Sequence, residues 1–147
     1  MKIRIRSAVR EDVPAVVALL RHLDVGDDKE LPLRRARAIF ARVKRYPSYR
    51  VYVAVAPGRN IVGTFALLIV EGLAHGGAPH GLVEDVVVDP QWRGRGIGNG
   101  MMRFAMQRCR DAGCYKMALS SHLSRLKTHR FYESLGFAKH GYSFLVR

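Results

Sequence analysis

A glycine-rich segment carries the clearest chemical signal in the chain. Glycine stands at every second position from Gly94 to Gly100, with Arg93 and Arg95 beside it. Glycines at the start of a helix let bare N–H groups approach an anion, and the helix dipole favours negative charge there. The pattern therefore predicts a site for a pyrophosphate or a similar diphosphate. The alternative is a flexible turn with a basic surface.

Two well-known phosphate loops do not fit this segment. A Rossmann fingerprint requires G-x-G-x-x-G, and here the third glycine would fall on Asn99 or on Met101, depending on the starting glycine. A Walker A loop ends in Gly-Lys-Ser or Gly-Lys-Thr, and the chain contains neither triplet. A diphosphate site here would belong to neither class.

Length and composition indicate an ordinary globular protein. The 147 residues are 48% apolar and include two cysteines, Cys109 and Cys114. We expect a single domain over residues 1–147 that folds without disulfides, in a reduced, cytoplasmic compartment. No apolar run reaches the length of a membrane span, and the first residues lack the apolar stretch of a signal peptide. No membrane association is predicted.

The charge balance is unusual. Lysine and arginine number 25 against 12 acidic residues, a net charge of +13. Residues 31–50 hold seven basic side chains and no acid. Such a surplus of positive charge favours binding of polyanions, whether nucleic acid, anionic membrane or phosphorylated small molecules. The charge alone does not indicate which of these binds. A merely solvated basic surface is the alternative.

Hydrophobic periodicity predicts the elements that position the glycine-rich segment. Their order is β-α-α-β-β-β-α-β-α-β, an α/β (α+β) fold with a mixed sheet in one layer and helices packed on it. A polar loop from Asp24 to Glu30 follows the first helix. The predicted elements after that loop are helix 31–45, strands 49–56, 61–70 and 82–88, helix 96–112, strand 115–120, helix 129–135 and a last strand 137–146.

Two motifs in this order resemble a known family. Gln91-x-x-Gly94-x-Gly96, directly after an apolar strand that ends at Pro90, resembles the acyl-CoA signature of the GNAT superfamily of N-acetyltransferases. Phe131-Tyr132-Glu133-Ser134-Leu135-Gly136-Phe137 resembles a second element of that family. The resemblance implies a mostly antiparallel sheet flanked by helices, with acetyl-CoA as co-substrate.

The resemblance also implies roles for individual residues. The strand backbone at Val86, Val87 and Val88 would pair with the pantetheine arm of acetyl-CoA. Small Gly98 and Gly100 would leave room for that molecule, and Tyr132 would protonate the departing thiolate. Where the family often has asparagine, this chain has Arg125, so a contact to the CoA phosphates is an alternative for that side chain. The pyrophosphate would be held by N–H groups of Arg93, Gly94, Arg95, Gly96, Ile97 and Gly98.

Acetyl transfer to an amine requires a base, because an alkylammonium with a pKa of about 10.4 is not a nucleophile. Glu84 is the candidate. In regular alternation it shares a face with Val86 and Val88, while Asp85, the reserve candidate, points the other way. The alternatives are that Glu84 pairs with an arginine and that Tyr132 is only a core aromatic.

The sequence thus predicts a GNAT N-acetyltransferase that moves an acetyl group directly, in a ternary complex, to a primary amine of a small molecule. The segments around Glu84 and Tyr132 resemble glucosamine-phosphate and aminoalkylphosphonate N-acetyltransferases, so an anionic acceptor would suit the arginines. Acetylation of a protein N-terminus or lysine is an alternative. So is a basic nucleic-acid-binding module, although the arginine clusters lack interleaved aromatics. No metal is predicted, a homodimer is left open, and His75, His80 and His129 have no assigned role.

Overall fold

The computed structural model describes residues 1–23 and 29–147. The loop predicted from Asp24 therefore lies outside the described residues, except for its last two positions. The strands are β1 (Arg4–Ser7), β2 (Tyr49–Ala56), β3 (Asn60–Val70), β4 (His80–Val88) and β5 (Met117–Ala118). The helices are α1 (Val13–Leu20), α2 (Leu33–Val43), α3 (Ile97–Asp111) and α4 (Leu126–Ser134).

The five strands form one sheet in sequence order. The pairs β1–β2, β2–β3 and β3–β4 are antiparallel, whereas β4 and β5 run parallel. The parallel pair is joined by α3, as a parallel connection requires a crossover. The predicted fold class, a mixed and mostly antiparallel sheet flanked by helices, is confirmed.

Helices cover both faces of the sheet. On one face, α3 and α4 pack against a core that contains the stacked rings of Tyr52 and Phe65, with centroids 5.1 Å apart. On the other face, α1 and α2 pack near Val51 and Val53. We call these the α3 face and the α1 face. Because side chains alternate along a strand, each β4 residue is assigned to one of them.

A β-bulge interrupts β4 at the predicted site. Ala66 of β3 pairs with Glu84, and Thr64 pairs with Val87, so that Asp85 and Val86 lie opposite a single residue of β3. Asp85 has a φ of 54°, in the left-handed region. A bulge of this kind shifts the alternation of side chains by one position.

The two parallel strands diverge beyond the bulge. β4 pairs with β5 only at Gly81 and Leu82, opposite Met117 and Ala118. In the described part of the chain, the edge of β4 from Val83 to Val88 that faces away from β3 has no strand beside it. This open edge includes the segment 86–88, whose backbone was predicted to pair with pantetheine.

The predicted last strand, 137–146, is wrong. Residues 137–147 form no regular element in the structure. Apolar residues do alternate there, at Tyr142, Phe144 and Val146, but these side chains are exposed. A strand needs a partner edge, and β5 offers only two paired residues. A contact of 3.0 Å between the hydroxyls of Ser143 and Ser120 connects the tail to the end of β5.

Candidate active site

The glycine-rich segment presents a row of free N–H groups at the start of α3. Gly94 and Gly96 have φ angles of 75° and 79°, and Gly96 is the residue that caps the helix. The first bond within the helix runs from the Gly100 N–H to the Gly96 carbonyl, at 3.0 Å. Within the described residues, the N–H groups of residues 93–98 donate to no protein acceptor. They remain available to an anion.

Two exposed arginines flank these donors. The guanidinium of Arg95 lies over the Trp92 ring, 4.8 Å from its centroid. Arg93 donates from Nε to the Val88 carbonyl, at 3.3 Å. Both arginines therefore remain close to the loop and add full positive charge to the partial charges of the N–H groups.

The structure shows what surrounds the two glycines that were expected to leave room for a bound molecule. A Cβ on Gly98 would lie 3.2 Å from the Phe131 ring, so the lack of a side chain at this position makes room for α4. A Cβ on Gly100 would lie 3.9 Å from Ile5, an ordinary contact. The sequence could not distinguish these roles, because a small residue fits a neighbouring side chain as well as a ligand.

A cleft of about 520 Å³ opens where β4 and β5 diverge. Glu84 and Asp85 both line it, so the expectation that Asp85 points away from Glu84's site is wrong. The cleft is also lined by Leu82, Val83, Ala118, Leu119, Ser120 and residues 140–143. Its volume lies in the range typical of small-molecule sites.

The bulge also corrects the predicted face of Glu84. Val83, Val86 and Val88 all contact the core on the α3 face. Glu84 pairs with Ala66 and alternates with Val83, which places it on the α1 face. Glu84 and the two valines thus lie on opposite faces, because the bulge adds one residue between them.

Asp85 and Glu84 differ in their surroundings. Asp85 is exposed at the cleft, yet desolvation by the surrounding protein raises its pKa above the ordinary aspartate value. Neither carboxylate forms an ion pair with an arginine within the described residues. The alternative that Glu84 serves only to pair with an arginine therefore finds no support.

Tyr132 lies on the α3 face, where it packs against the same core as Val86 and Val88. The helix that carries it ends at Gly136, with N–H bonds from Gly136 to the Glu133 carbonyl and from Phe137 to the Tyr132 carbonyl. This is the glycine-terminated end that the sequence predicts. Burial raises the pKa of Tyr132, and nearby Arg125 opposes the shift. The phenol is therefore protonated at neutral pH.

Sequence reasoning missed two residues near the cleft. The Ser121 hydroxyl is buried and has no hydrogen-bond partner in the described chain, directly after cleft residue Ser120. Tyr49 lies at the start of β2, close enough for Glu84 and Asp85 to influence its pKa. Neither residue belongs to a recognisable motif, and only the cross-strand register brings Tyr49 near β4.

Other candidate features have local explanations. His75 stacks on Tyr115, with ring centroids 4.1 Å apart, and His129 Nε2 lies 2.8 Å from the His122 carbonyl. In the part of the chain that the structure describes, no cluster of three metal-ligating side chains occurs. No helix among those residues is long and apolar enough to cross a bilayer.

The residues fit the diphosphate of coenzyme A at one point: within the described residues, the N–H groups of residues 93–98 donate to no protein acceptor and remain available to it. The model of the acetyltransferase (GNAT) family matches residues 15–137. The chain belongs to this family. The GNAT family predicted from the two motifs is therefore confirmed.

Individual relatives extend the comparison. A glucosamine 6-phosphate N-acetyltransferase of Trypanosoma brucei brucei is 42% identical over 84 residues, which cover 57% of this chain and 55% of that protein. This chain spans about half the length of the first curated relatives that it matches. An aminoalkylphosphonate N-acetyltransferase of Salmonella typhimurium is 30% identical over 140 residues, 95% of this chain and 88% of that protein.

A solved structure matches the whole GNAT fold. It is a candidate acetyltransferase from Agrobacterium tumefaciens strain C58, with a TM-score of 0.91 and 34% identity. The match covers 98% of this chain and 99% of that one. The agreement includes the sheet and all its flanking helices, which supports the architecture described above.

Proposed function

We propose that this GNAT protein transfers the acetyl group of acetyl-CoA directly to a primary amine of a small molecule, in a ternary complex. The observation that carries the proposal is the row of free N–H groups at residues 93–98, next to the open edge of β4. The N–H groups bind the pyrophosphate, and the backbone of residues 86–88 pairs with the pantetheine arm. Bound there, acetyl-CoA supplies an activated thioester at the cleft.

The two candidate catalytic side chains approach the thioester from opposite faces of the sheet. Glu84 lies on the α1 face, where it lines the cleft, and Tyr132 lies on the α3 face. The amine enters beside Glu84, which takes its proton directly or through a water. Tyr132 gives its proton to the thiolate that leaves. The attack of the amine and the departure of the thiolate are thus assisted by different side chains on opposite faces of the sheet.

The acceptor is an amine that also carries an anionic group. Two relatives are named for such amines, one a phosphorylated amino sugar and one an aminoalkylphosphonate. The net charge of +13 favours an anionic acceptor through long-range attraction. This preference distinguishes the proposal from acetylation of a lysine-rich protein tail, which the same charge would repel.

Free-thiol release from acetyl-CoA tests the proposal. We expect release that depends on added amine with D-glucosamine 6-phosphate or 2-aminoethylphosphonate. D-Glucosamine is the matched neutral control for its phosphate, and a lower kcat/KM for it would support the anionic class. Thiol release that never depends on an amine would contradict the function. Equal kcat/KM for glucosamine and its phosphate would contradict only the acceptor class.

A further inference from the structure

The start of β2 brings an aromatic side chain towards the two carboxylates. Tyr49 pairs with Leu68 of β3, and Glu84 pairs with Ala66, two residues away on the same strand. Alternation places Tyr49 and Glu84 on the α1 face, the side from which the amine enters. On β3, Leu68 lies beside Tyr49 and Ala66 lies beside Glu84, so Tyr49 and Glu84 are diagonal neighbours across that strand.

The phenol of Tyr49 is held as a hydrogen-bond donor. Burial raises its pKa, and the negative charges of Glu84 and Asp85 raise it further. Its hydroxyl makes no hydrogen bond within the described chain, although a half-buried tyrosine hydroxyl usually finds a partner. The donor is therefore available to a bound molecule.

Neighbouring groups restrain Tyr49, Arg50 through the backbone carbonyl and Tyr46 through the ring. Arg50 donates from Nη1 to the carbonyls of Tyr46 and Tyr49, at 3.1 Å and 2.8 Å. The Tyr46 ring lies edge-on to the Tyr49 ring, with centroids 6.1 Å apart. A donor restrained in this way can select among acceptors and need not adapt to each of them.

We propose that Tyr49 determines acceptor specificity by donating a hydrogen bond from its hydroxyl to an oxygen substituent of the acceptor, while the amine faces Glu84 and Asp85. The oxygen belongs to a hydroxyl or phosphoryl group close to the amine. The partner is not the amine nitrogen, because a donor there would occupy the lone pair that attacks the thioester. The carboxylates accept hydrogen bonds from the amine, which leaves the phenol for the oxygen. This inference rests on the proposed function.

Steady-state kinetics of Tyr49→Phe test the inference. The acceptors are the three oxygen-bearing amines above, with cyclohexylamine as an amine that lacks oxygen. For the best of the three, we expect kcat/KM to fall about tenfold, the scale of one lost hydrogen bond, mainly through a higher acceptor KM. The KM for acetyl-CoA and the kcat/KM for cyclohexylamine should stay within about twofold.

Tyr46→Phe is the matched control, since it removes a phenol three residues away that is more exposed. It should leave all of these constants unchanged. An equal loss with cyclohexylamine, or full activity of Tyr49→Phe, would overturn the inference and leave the proposed function intact. A wild-type protein inactive with all three amines would overturn both. Melting temperatures should agree among the three proteins, because the Tyr49 hydroxyl has no internal partner to lose.

Discussion

The two carboxylates of the β4 bulge are adjacent in sequence but differ in backbone and environment. Asp85 adopts a left-handed conformation, which costs free energy for a residue with a side chain. Such strain is frequent at functional sites. Glu84 keeps regular strand pairing with Ala66 and extends over the α1 face. This difference makes the two residues a natural pair for mutagenesis.

Glu84→Gln should lower kcat about 100-fold at neutral pH, because it removes the proposed base and keeps the shape of the side chain. The loss should shrink as the pH rises and the free amine appears in solution. Asp85→Asn is the matched variant and should have a smaller effect. Full activity of Glu84→Gln near pH 7, together with a large loss in Asp85→Asn, would assign the base to Asp85. In that case the rate would fall on acidification at a higher pH than for an ordinary aspartate, since the pKa of Asp85 is raised.

Tyr132→Phe should lower kcat by roughly 10- to 100-fold, because one proton donor is lost and a thiolate is already a fair leaving group. The ring still packs against Phe131 and Phe137, so the melting temperature should change little. The affinity for acetyl-CoA should stay within about threefold, since the site proposed for its phosphates, the N–H groups of residues 93–98, does not include Tyr132. Steady-state kinetics that show full turnover would mean that Tyr132 is only a core residue.

At the scale of elements, the contact between α3 and α4 positions Tyr132. Gly98→Ala would place a methyl group 3.2 Å from the Phe131 ring, next to Tyr132. We expect a lower melting temperature than for Gly100→Ala and a lower kcat, because the Phe131 ring must shift by a few tenths of an ångström. Gly100→Ala is the control: its methyl group would make an ordinary contact with Ile5, 3.9 Å away, and alanine within a helix stabilises by about 0.5–1 kcal/mol relative to glycine. Equal melting temperatures for the two variants would contradict this account.

The corner between β1 and α1 depends on a partly buried ion pair. Arg6 donates from Nη1 and Nη2 to the two carboxylate oxygens of Asp12, at 2.6 Å and 3.0 Å. The Val9 N–H donates to the same carboxylate, at 2.8 Å. The hydrogen bond from Arg6 is the main reason that the pKa of Asp12 is lowered, and burial opposes it. The ionised form of Asp12 therefore stabilises the folded protein.

Acid titration of stability tests this pair. Because the folded pKa of Asp12 is lowered, its contribution is fully present above the unfolded value of about 3.9 and is lost as the pH falls through the folded value. Asp12→Asn should lower the free energy of unfolding by about 2–3 kcal/mol at pH 7. It should also flatten the dependence of that free energy on pH below about 5. Parallel curves for variant and wild type, measured by denaturant unfolding, would contradict the assignment.

Elements with strong local signals could be predicted from the sequence. β2 begins and ends at Tyr49 and Ala56, as expected, and α4, which ends at Ser134, is followed by the predicted terminating glycine, Gly136. Features that depend on pairing between strands could not be predicted from the sequence. The β4 bulge, which moves Glu84 to the α1 face, follows from register with β3. The missing last strand reflects the short edge of β5, which no pattern within 137–146 reveals.

At the scale of the whole molecule, the net positive charge should strengthen the binding of every anionic ligand. A net charge of +13 attracts acetyl-CoA from a distance, and salt screens that attraction. We expect the Kd for acetyl-CoA to rise severalfold between about 0.05 M and 0.5 M salt, mainly through slower association. Stopped-flow binding at several ionic strengths measures this effect. A Kd independent of salt would mean that the surplus charge lies too far from the site to matter.

Calorimetric titration with acetyl-CoA tests the central claim most directly. Gly96→Val is the decisive variant, because it would add a bulky side chain within the row of free N–H groups, where no other atom lies within 4 Å of its Cβ, and would strain a φ of 79°. Gly113→Val is the matched control, with a φ of 75° and equally open surroundings at the other end of α3. We predict one saturable site in the wild type and in Gly113→Val, and no measurable binding in Gly96→Val. A wild-type protein that gives no heat with millimolar acetyl-CoA, or a Gly96→Val protein that binds it normally, would contradict the account.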